Sequence, residues 1–390
     1  MNYQEASAWL DGLQVYGSKF GLERISYLCE KLGSPQKGIR AVHVAGTNGK
    51  GSVCAMISEI LREARLKVGL YTSPHLIDFR ERITVNGEQA SEHEIAKYVE
   101  KIAPVAEEMG SHPTYFEVCT AMALKHFAVH SVDYAVVEVG MGGRLDATNV
   151  VEPKVCVITN IAREHTQVLG KTIAEIAGEK AGIIKDDVPV VTSAGGEALD
   201  VISKAAAEKS AEVIRVTEPY QWDLGMEGEP QRLNAAVAVE AVRQLNLEVP
   251  FGRTLIEPAL RRVEMLGRMQ KIGNLLLDCA HNPAGIKSLI GSLEDYPREN
   301  LILVFGCLGD KDHKSMLSAL EGVADTIILT KPDNPRAVSP HDLHLEVPGS
   351  ATTENVAEAL KHAQDIATAD DLILVTGSCY VVGEALRIIS

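Results

Sequence analysis

Residues 42–52 read Val42-His43-Val44-Ala45-Gly46-Thr47-Asn48-Gly49-Lys50-Gly51-Ser52. An apolar run enters a glycine-rich turn, and a helical pattern leaves it. Glycine lets backbone N–H groups approach phosphate oxygens without a Cβ in the way, and the following helix adds the positive end of its dipole. From such a turn Lys50 can reach β- and γ-phosphates, and the Ser52 hydroxyl is a hard oxygen ligand suited to Mg²⁺. The spacing departs from G-x-x-x-x-G-K-[ST], because the loop is shorter and Gly51 stands between the lysine and the serine. An ordinary strand-to-helix turn has no need of a lysine and a hydroxyl in that order, so phosphate binding is the stronger reading. Three more groups stand at or just past the ends of apolar runs. Glu138 lies within Tyr134–Val139, where a charge needs a partner. Ser73 follows Lys67–Tyr71 and, read alone, serves equally as a turn or cap. His165 follows Val155–Thr159 in a position a surface histidine also takes.

These groups need a frame. Short β-branched runs at Ala41–Ala45, Lys67–Tyr71, Tyr134–Val139, Val155–Thr159, Pro189–Thr192, Asn274–Cys279, Leu301–Phe305, Thr326–Leu329 and Leu372–Val375 alternate with helical patterns. The helical patterns include Ser52–Ala64, Ser91–Glu108, Glu117–His130, Thr172–Ile184, Glu197–Ser210, Leu233–Leu245, Ala284–Leu293 and Glu354–Ala367. Many of the runs are almost wholly Val, Ile and Leu, as strands covered on both faces require. The alternation predicts an α/β fold with largely parallel sheets. Ligands of open α/β sheets bind at the C-terminal strand ends, which is where Ser73 and Glu138 fall. Pro250, Gly252, Pro258 and the basic pair Arg261-Arg262 read as a boundary near 246–267. The expected domains are 1–264, carrying the phosphate loop, and 265–390, a smaller Rossmann-like α/β domain.

The 390 residues carry 53 acidic and 38 basic side chains, a formal net charge of −15. Nucleic acid and anionic membranes repel such a chain, although a local basic pocket can still hold an anionic substrate. Seven cysteines are scattered without a CxxC pair, and most sit in apolar stretches, as reduced core thiols do. Neither a signal peptide nor an apolar run of membrane-spanning length is evident, so the expected location is the cytoplasm.

Several segments together carry a resemblance. Gly46–Ser52 resembles the G-T-N-G-K-G-[ST] loop of the folylpolyglutamate synthase and dihydrofolate synthase family, part of the larger Mur-type ligase group. Ser73-Pro74-His75-Leu76 with Glu81-Arg82-Ile83, Thr114-Tyr115-Phe116-Glu117, and Glu138 through Asn149 are similar to its S-P-H-L…E-R-I, T-x-F-E and E-x-G-x-G-G-R-x-D-x-T-N segments. Glu179-Lys180-Ala181-Gly182-Ile183, Asp278-Cys279-Ala280-His281-Asn282-Pro283 and Gly377-Ser378…Gly383-Glu384 are similar to E-K-A-G-I, D-x-A-H-N-P and G-S…G-E. The matches run in family order from about residue 16 to the end.

The resemblance implies an ATP- and Mg²⁺-dependent amide ligase that joins L-glutamate to a pterin-linked acid through an acyl phosphate, releasing ADP. Thr47, Asn48, Gly49, Lys50, Gly51, Ser52, Asn234, Arg268, Asp278 and His281 are the implied ATP contacts, with ATP between the domains and closure completing the site. Ser52, Ser73, Glu138 and His165 are the implied metal ligands, and Lys50, Glu138, His165 and Lys180 the catalytic set, with Lys180 carbamylated. Ser18, Lys19, Phe20, Thr114, Tyr115, Phe116, Glu117, Leu145, Asp146 and Ala147 are the implied pterin contacts. Arg80, Arg82 and Arg144 are cations that could meet the glutamate. Two departures stand out. Mur-type enzymes usually carry Asp-His where this chain has Glu164-His165, and the stretch Ile214–Glu229 is short, which implies the loss of a hairpin from the central sheet. The acid substrate is dihydropteroate, a folate with a growing γ-linked tail, or both. Another Mur-type ligase acting on a different carboxylate, or a nucleotide-binding regulator retired from catalysis, is the competing reading. The intact set Lys50, Ser52, Glu138, His165, Lys180 and Asp278 argues against the latter. Two domains joined by one hinge suffice as a monomer.

Overall fold

The apolar runs become strands whose side chains are covered on both faces. In the computed structural model, which describes residues 1–17 and 19–389, they build two sheets. The first comprises β1 (Ala41–Ala45), β2 (Val68–Tyr71), β3 (Ile83–Val85), β4 (Glu88–Gln89), β5 (Tyr134–Glu138), β6 (Pro153–Ile158), β7 (Val190–Thr192) and β8 (Val213–Arg215), in the order β4-β3-β2-β5-β1-β6-β7-β8. All pairings from β2 to β8 are parallel, and β3 and β4 close one edge as antiparallel strands. The second comprises β9 (Gln270–Ile272), β10 (Leu275–Leu277), β11 (Leu301–Phe305), β12 (Thr326–Leu329), β13 (Ala351–Thr352) and β14 (Leu372–Thr376), ordered β13-β12-β11-β14-β10-β9, with only β9 antiparallel.

Two compact units contain these sheets. The first spans residues 1–73, 79–224 and 232–263, and the second spans 74–78, 225–231 and 264–390. A single division at residue 264 therefore misses two short excursions. The segment Pro74–Asp78 belongs with the second sheet for a packing reason. Leu76 joins the apolar cluster of Leu275, Leu277, Val381 and Val382, and the Arg387 guanidinium donates to the Leu76 and Ile77 carbonyls at 3.2 and 3.1 Å. A Cβ on Gly383 would overlap the Leu76 carbonyl, so only glycine lets the last helix, Cys379–Ile389, come this close.

The stretch 246–267 is not wholly a linker, because Arg253–Arg262 is a helix with Pro258 inside it. Ion pairs Arg253–Glu257 and Glu257–Arg261 at i,i+4 support it, and Arg262 reaches Glu59 and Glu63 on the helix Lys50–Glu63. Residues 216–228 carry no strand, so β8 is the sheet edge there. The described helices include none long and apolar enough to cross a membrane. All seven cysteines are free, and six are buried.

Candidate active site

Strands β2, β5, β1 and β6 are four parallel neighbours, and each delivers a site residue from its C-terminal end. β1 runs into Gly46–Gly49, β2 into Ser73, β5 ends on Glu138, and β6 leads to Thr159, Asn160 and His165. The chain leaves β1 toward β2 on one side and later reaches β6 on the other. The phosphate loop therefore sits at the reversal of strand order, where open α/β sheets bind ligands.

The loop is held from the side by the residues after β6. Thr47 N–H donates to the Asn160 carbonyl at 2.8 Å, and Asn48 N–H to Asn160 Oδ1 at 3.0 Å. Asn160 Nδ2 and the Thr159 hydroxyl both donate to the Asn48 carbonyl, at 3.1 and 2.6 Å. Thr47 Oγ1 accepts from Ala162 N–H at 3.0 Å. Gly46 (φ 147°) lies so close to Thr159 that a Cβ would overlap its hydroxyl. Gly49, at φ 82°, begins the helix Lys50–Glu63 without a side-chain cap, and its absent Cβ would lie 2.5 Å from Asn234 Oδ1. Asn234 therefore packs on the loop, while the Ser52 side chain is buried in the first helical turn. Lys50 Nζ folds back onto the loop and donates to the Gly46 and Thr47 carbonyls at 3.1 and 3.0 Å.

The buried Glu138 carboxylate accepts from Ser73 N–H at 2.8 Å through Oε2. His165 has a left-handed backbone at φ 49°, a conformation held only where neighbours enforce it. Glu164 beside it is buried, with a carboxylate oxygen 3.7 Å from His165 Nε2. Hard oxygen donors and an imidazole at one sheet edge fit a divalent cation. Lys180, near the end of the helix Ile173–Ala181, is buried and donates to the Gly46 carbonyl at 2.7 Å. Burial, then the nearby Lys50 charge, lowers its ammonium pKa to about 7, against the opposing pull of Glu164 and Asp146.

The residues expected to meet the pterin divide. Phe116 lies flat over the backbone at Gly140, whose Cβ would stand 2.5 Å from its Cζ. Leu145 is half-buried, Ala147 is buried and Phe20 is exposed, while Ser18 lies outside the described residues. Lys19 Nζ donates to the His112 carbonyl at 3.1 Å. Tyr115 stands under the Arg82 guanidinium, 5.4 Å from ring centre to charge. Thr114 and Glu117 are engaged otherwise. They form a capping box that starts the helix Tyr115–Val129, and Arg24 pairs with Glu117 at 3.0 Å. Asp146 is also occupied. Its Oδ1 accepts from the Thr148 hydroxyl at 2.5 Å and backbone at 3.0 Å, and its Oδ2 from Met141 N–H at 2.9 Å. The Thr148 hydroxyl, donating to Asp146, accepts from His43 Nε2 at 2.8 Å. Asp146 therefore shapes its loop, and burial raises its carboxyl pKa. Arg144 pairs with Glu179 at 2.8 Å.

In the second unit, Asp278 follows β10 and accepts from Met269 N–H at 3.0 Å and Ala280 N–H at 2.9 Å. Burial raises its pKa, and the adjacent Arg268 charge opposes that. His281 Nδ1 donates to the Cys279 carbonyl at 2.9 Å.

The Mur ligase middle domain matches residues 44–242, and the Mur ligase glutamate ligase domain matches 261–379. Dihydrofolate synthase/folylpolyglutamate synthase of Bacillus subtilis is 36% identical over 98% of this chain and 98% of its own. The chain belongs to the folylpolyglutamate synthase/dihydrofolate synthase family. As a member of this family it is an ATP-dependent, ADP-forming ligase. Two solved structures of the folylpolyglutamate synthase/dihydrofolate synthase family superpose closely. Escherichia coli FolC in complex with DHPP and ADP has a TM-score of 0.90 at 33% identity, covering 98% of this chain and 97% of its own. The Yersinia pestis bifunctional enzyme complexed with AMPPNP and Mn has a TM-score of 0.90 at 30% identity, covering 100% and 98%. Thr159 and Asn160, which hold the phosphate loop, are residues that sequence reasoning missed. The signal was present, a Thr-Asn pair ending an apolar run, but its task depends on which strand lies beside β1.

Proposed function

We propose that this ligase adds L-glutamate both to dihydropteroate and to the γ-carboxylate of folates, with Mg²⁺ as the metal. The observation that carries the reading is the convergence of the Gly46–Ser52 loop, Ser73, Glu138, His165 and Lys180 on the ends of adjacent parallel strands.

The acid's carboxylate oxygen attacks the γ-phosphorus of ATP, the bond to the β-phosphate oxygen breaks, and ADP leaves. The glutamate amine then attacks the acyl carbon, loses a proton, and inorganic phosphate departs. Such chemistry asks the protein for positioning and charge, not for covalent participation. The loop N–H groups and Lys50 hold the phosphates, and Asn234 borders the nucleotide through its packing on Gly49. Ser52, Ser73, Glu138 and His165 would hold Mg²⁺, which would supply positive charge to the phosphates. Arg268 contacts phosphate, Asp278 the ribose hydroxyls, and His281 assists. Phe116, Leu145 and Ala147 border the pterin. Lys180 is carbamylated, a reading supported by its burial and by an amine held near neutrality by about pH 7, since only the uncharged amine attacks CO₂. The net charge of −15 supports small-molecule partners over nucleic acid or an anionic membrane, and the same reading takes the chain as a cytoplasmic monomer.

The test is ADP release with L-glutamate, offering dihydropteroate and tetrahydrofolate in parallel, with products identified by mass. Glutamate adducts on both are expected. An adduct on one alone would overturn the dual specificity, and none on either, with ATP bound, would point to another carboxylate.

A further inference from the structure

The helices Glu92–Glu108 and Tyr115–Val129 bring together three groups that the ligase reaction does not use. His126 and His130 are four residues apart, so one helical face presents both. Glu94 comes from the first turn of the other helix. Glu94 Oε1 lies 2.7 Å from His130 Nε2 and 3.8 Å from His126 Nδ1, and the three ligand atoms all fall within 4.8 Å of one another. We propose that Glu94, His126 and His130 form a binding site for a zinc-like divalent cation, separate from the metal position at the phosphate loop.

Zinc takes imidazole nitrogen and carboxylate oxygen at about 2.0–2.2 Å, which puts ligand atoms of a tetrahedral site about 3.3 Å apart. The observed 2.7 and 3.8 Å bracket that spacing, so small side-chain rotations suffice. His126 is buried, while Glu94 and His130 are about 30% exposed, which leaves a solvent side for entry and for a water as fourth ligand. Glu94 is fixed beforehand. Its Oε2 accepts from Ser91 N–H at 2.9 Å and from the Ser91 hydroxyl at 2.6 Å, and Oε1 faces the histidines. Such support orients a ligating carboxylate. Burial keeps His126 neutral, as a metal-binding imidazole must be. Tyr98, whose hydroxyl is 3.1 Å from His126 Nδ1, yields that nitrogen when the cation enters. The Lys67 charge opposes a cation here, and the Glu94 carboxylate offsets it. The site clamps the C-terminal end of the helix whose first residues are Tyr115 and Phe116. The eleven helical steps from Tyr115 to His126 rise about 16 Å, so the site lies far along the helix from Tyr115 and Phe116.

The test uses the full chain, stripped of metal by chelator and then saturated with Mg²⁺ and a non-hydrolysable ATP analogue. Titration with Co²⁺ should give the visible absorption of tetrahedral cobalt at one equivalent, bleached by Zn²⁺. His130→Ala and Glu94→Gln should each weaken Zn²⁺ binding at least about tenfold. Zn²⁺ should raise the melting temperature of the parent chain and not of His130→Ala. An octahedral spectrum only, or equal Zn²⁺ affinity in the parent and both variants, would overturn the proposal.

Discussion

The Lys180 ammonium donates its hydrogen bond to the carbonyl of Gly46, the first residue of the phosphate loop, 134 positions earlier in the chain. A buried cation beside a second cation, Lys50, is held where it gives up its proton most easily. In this unmodified form it braces the loop, and the proposed carbamylation would turn the same group into an anion.

Activation by CO₂ should therefore follow the neutral amine. At a fixed concentration of dissolved CO₂, the rate at which CO₂-depleted enzyme regains activity should rise with pH through about 7 and level off above it. Lys180→Ala should bind ATP and lose at least about 100-fold in kcat. A pH-independent rate of regain, or full activity in Lys180→Ala, would remove the carbamate from the mechanism.

Thr159→Val should loosen the phosphate loop without emptying the core, because valine keeps the volume and loses only the hydroxyl that donates to Asn48. The expected result is about a tenfold rise in KM for ATP with kcat little changed, and Thr159→Ser should restore it. Gly46→Ala, which forces a Cβ into Thr159, should be far more severe. An unchanged KM in Thr159→Val would show that Asn160, Ala162 and Lys180 hold the loop without it.

Glu138→Gln retains an oxygen for Ser73 N–H and removes the charge. Protein stability should hold or improve, since a buried charge is lost. Metal-dependent turnover should drop by at least about 100-fold. If added Mg²⁺ at high concentration recovers the parent rate fully, Glu138 is only tuning metal affinity.

His43 and His126 bear on acid stability. Burial depresses their pKa values to about 3 and about 4, below the ordinary 6.5. The unfolded chain binds protons near pH 6 that the native chain refuses, so native stability must fall as pH drops from about 6.5 toward 4. Urea midpoints at pH 7 and pH 5 measure this. The fall should be shallower in His43→Gln, whatever its absolute stability. A parallel fall would assign the loss elsewhere. Thr148→Val, which cuts the link from His43 to Asp146, should cost about 1–3 kcal/mol.

Much of the frame was legible because its strands are continuous apolar runs. Ala41–Ala45, Leu301–Phe305 and Thr326–Leu329 occur as read. The edge strands β4, β8, β9 and β13, and β3 beside β4, are two or three residues long, too short to show an apolar run or an alternation. Pro258 disguised the helix Arg253–Arg262, whose support is side-chain ion pairing. The helices Tyr3–Gly12, Glu23–Lys31, His313–Glu321 and Cys379–Ile389 were not placed either, the first despite its Asn2–Glu5 capping box. The phosphate loop was readable because its chemistry is contiguous. Thr114 and Glu117 show the opposite case, since their spacing is that of a capping box and geometry gives them that task. Asp146 reads as an acceptor for substrate, but three donors already surround it.

The seating of Leu76 against the final helix has a consequence for synthesis. Leu76 leaves the ribosome 311 residues ahead of Arg387, the side chain that holds its carbonyl. At ordinary translation speeds of 5–20 residues per second, that interval lasts roughly 15–60 s. Leu275 and Leu277 follow part-way through it, but until its end the Pro74–Asp78 turn lacks Val381, Val382 and Arg387. Packing around Leu76 is thus completed only once the helix Cys379–Ile389 has been made.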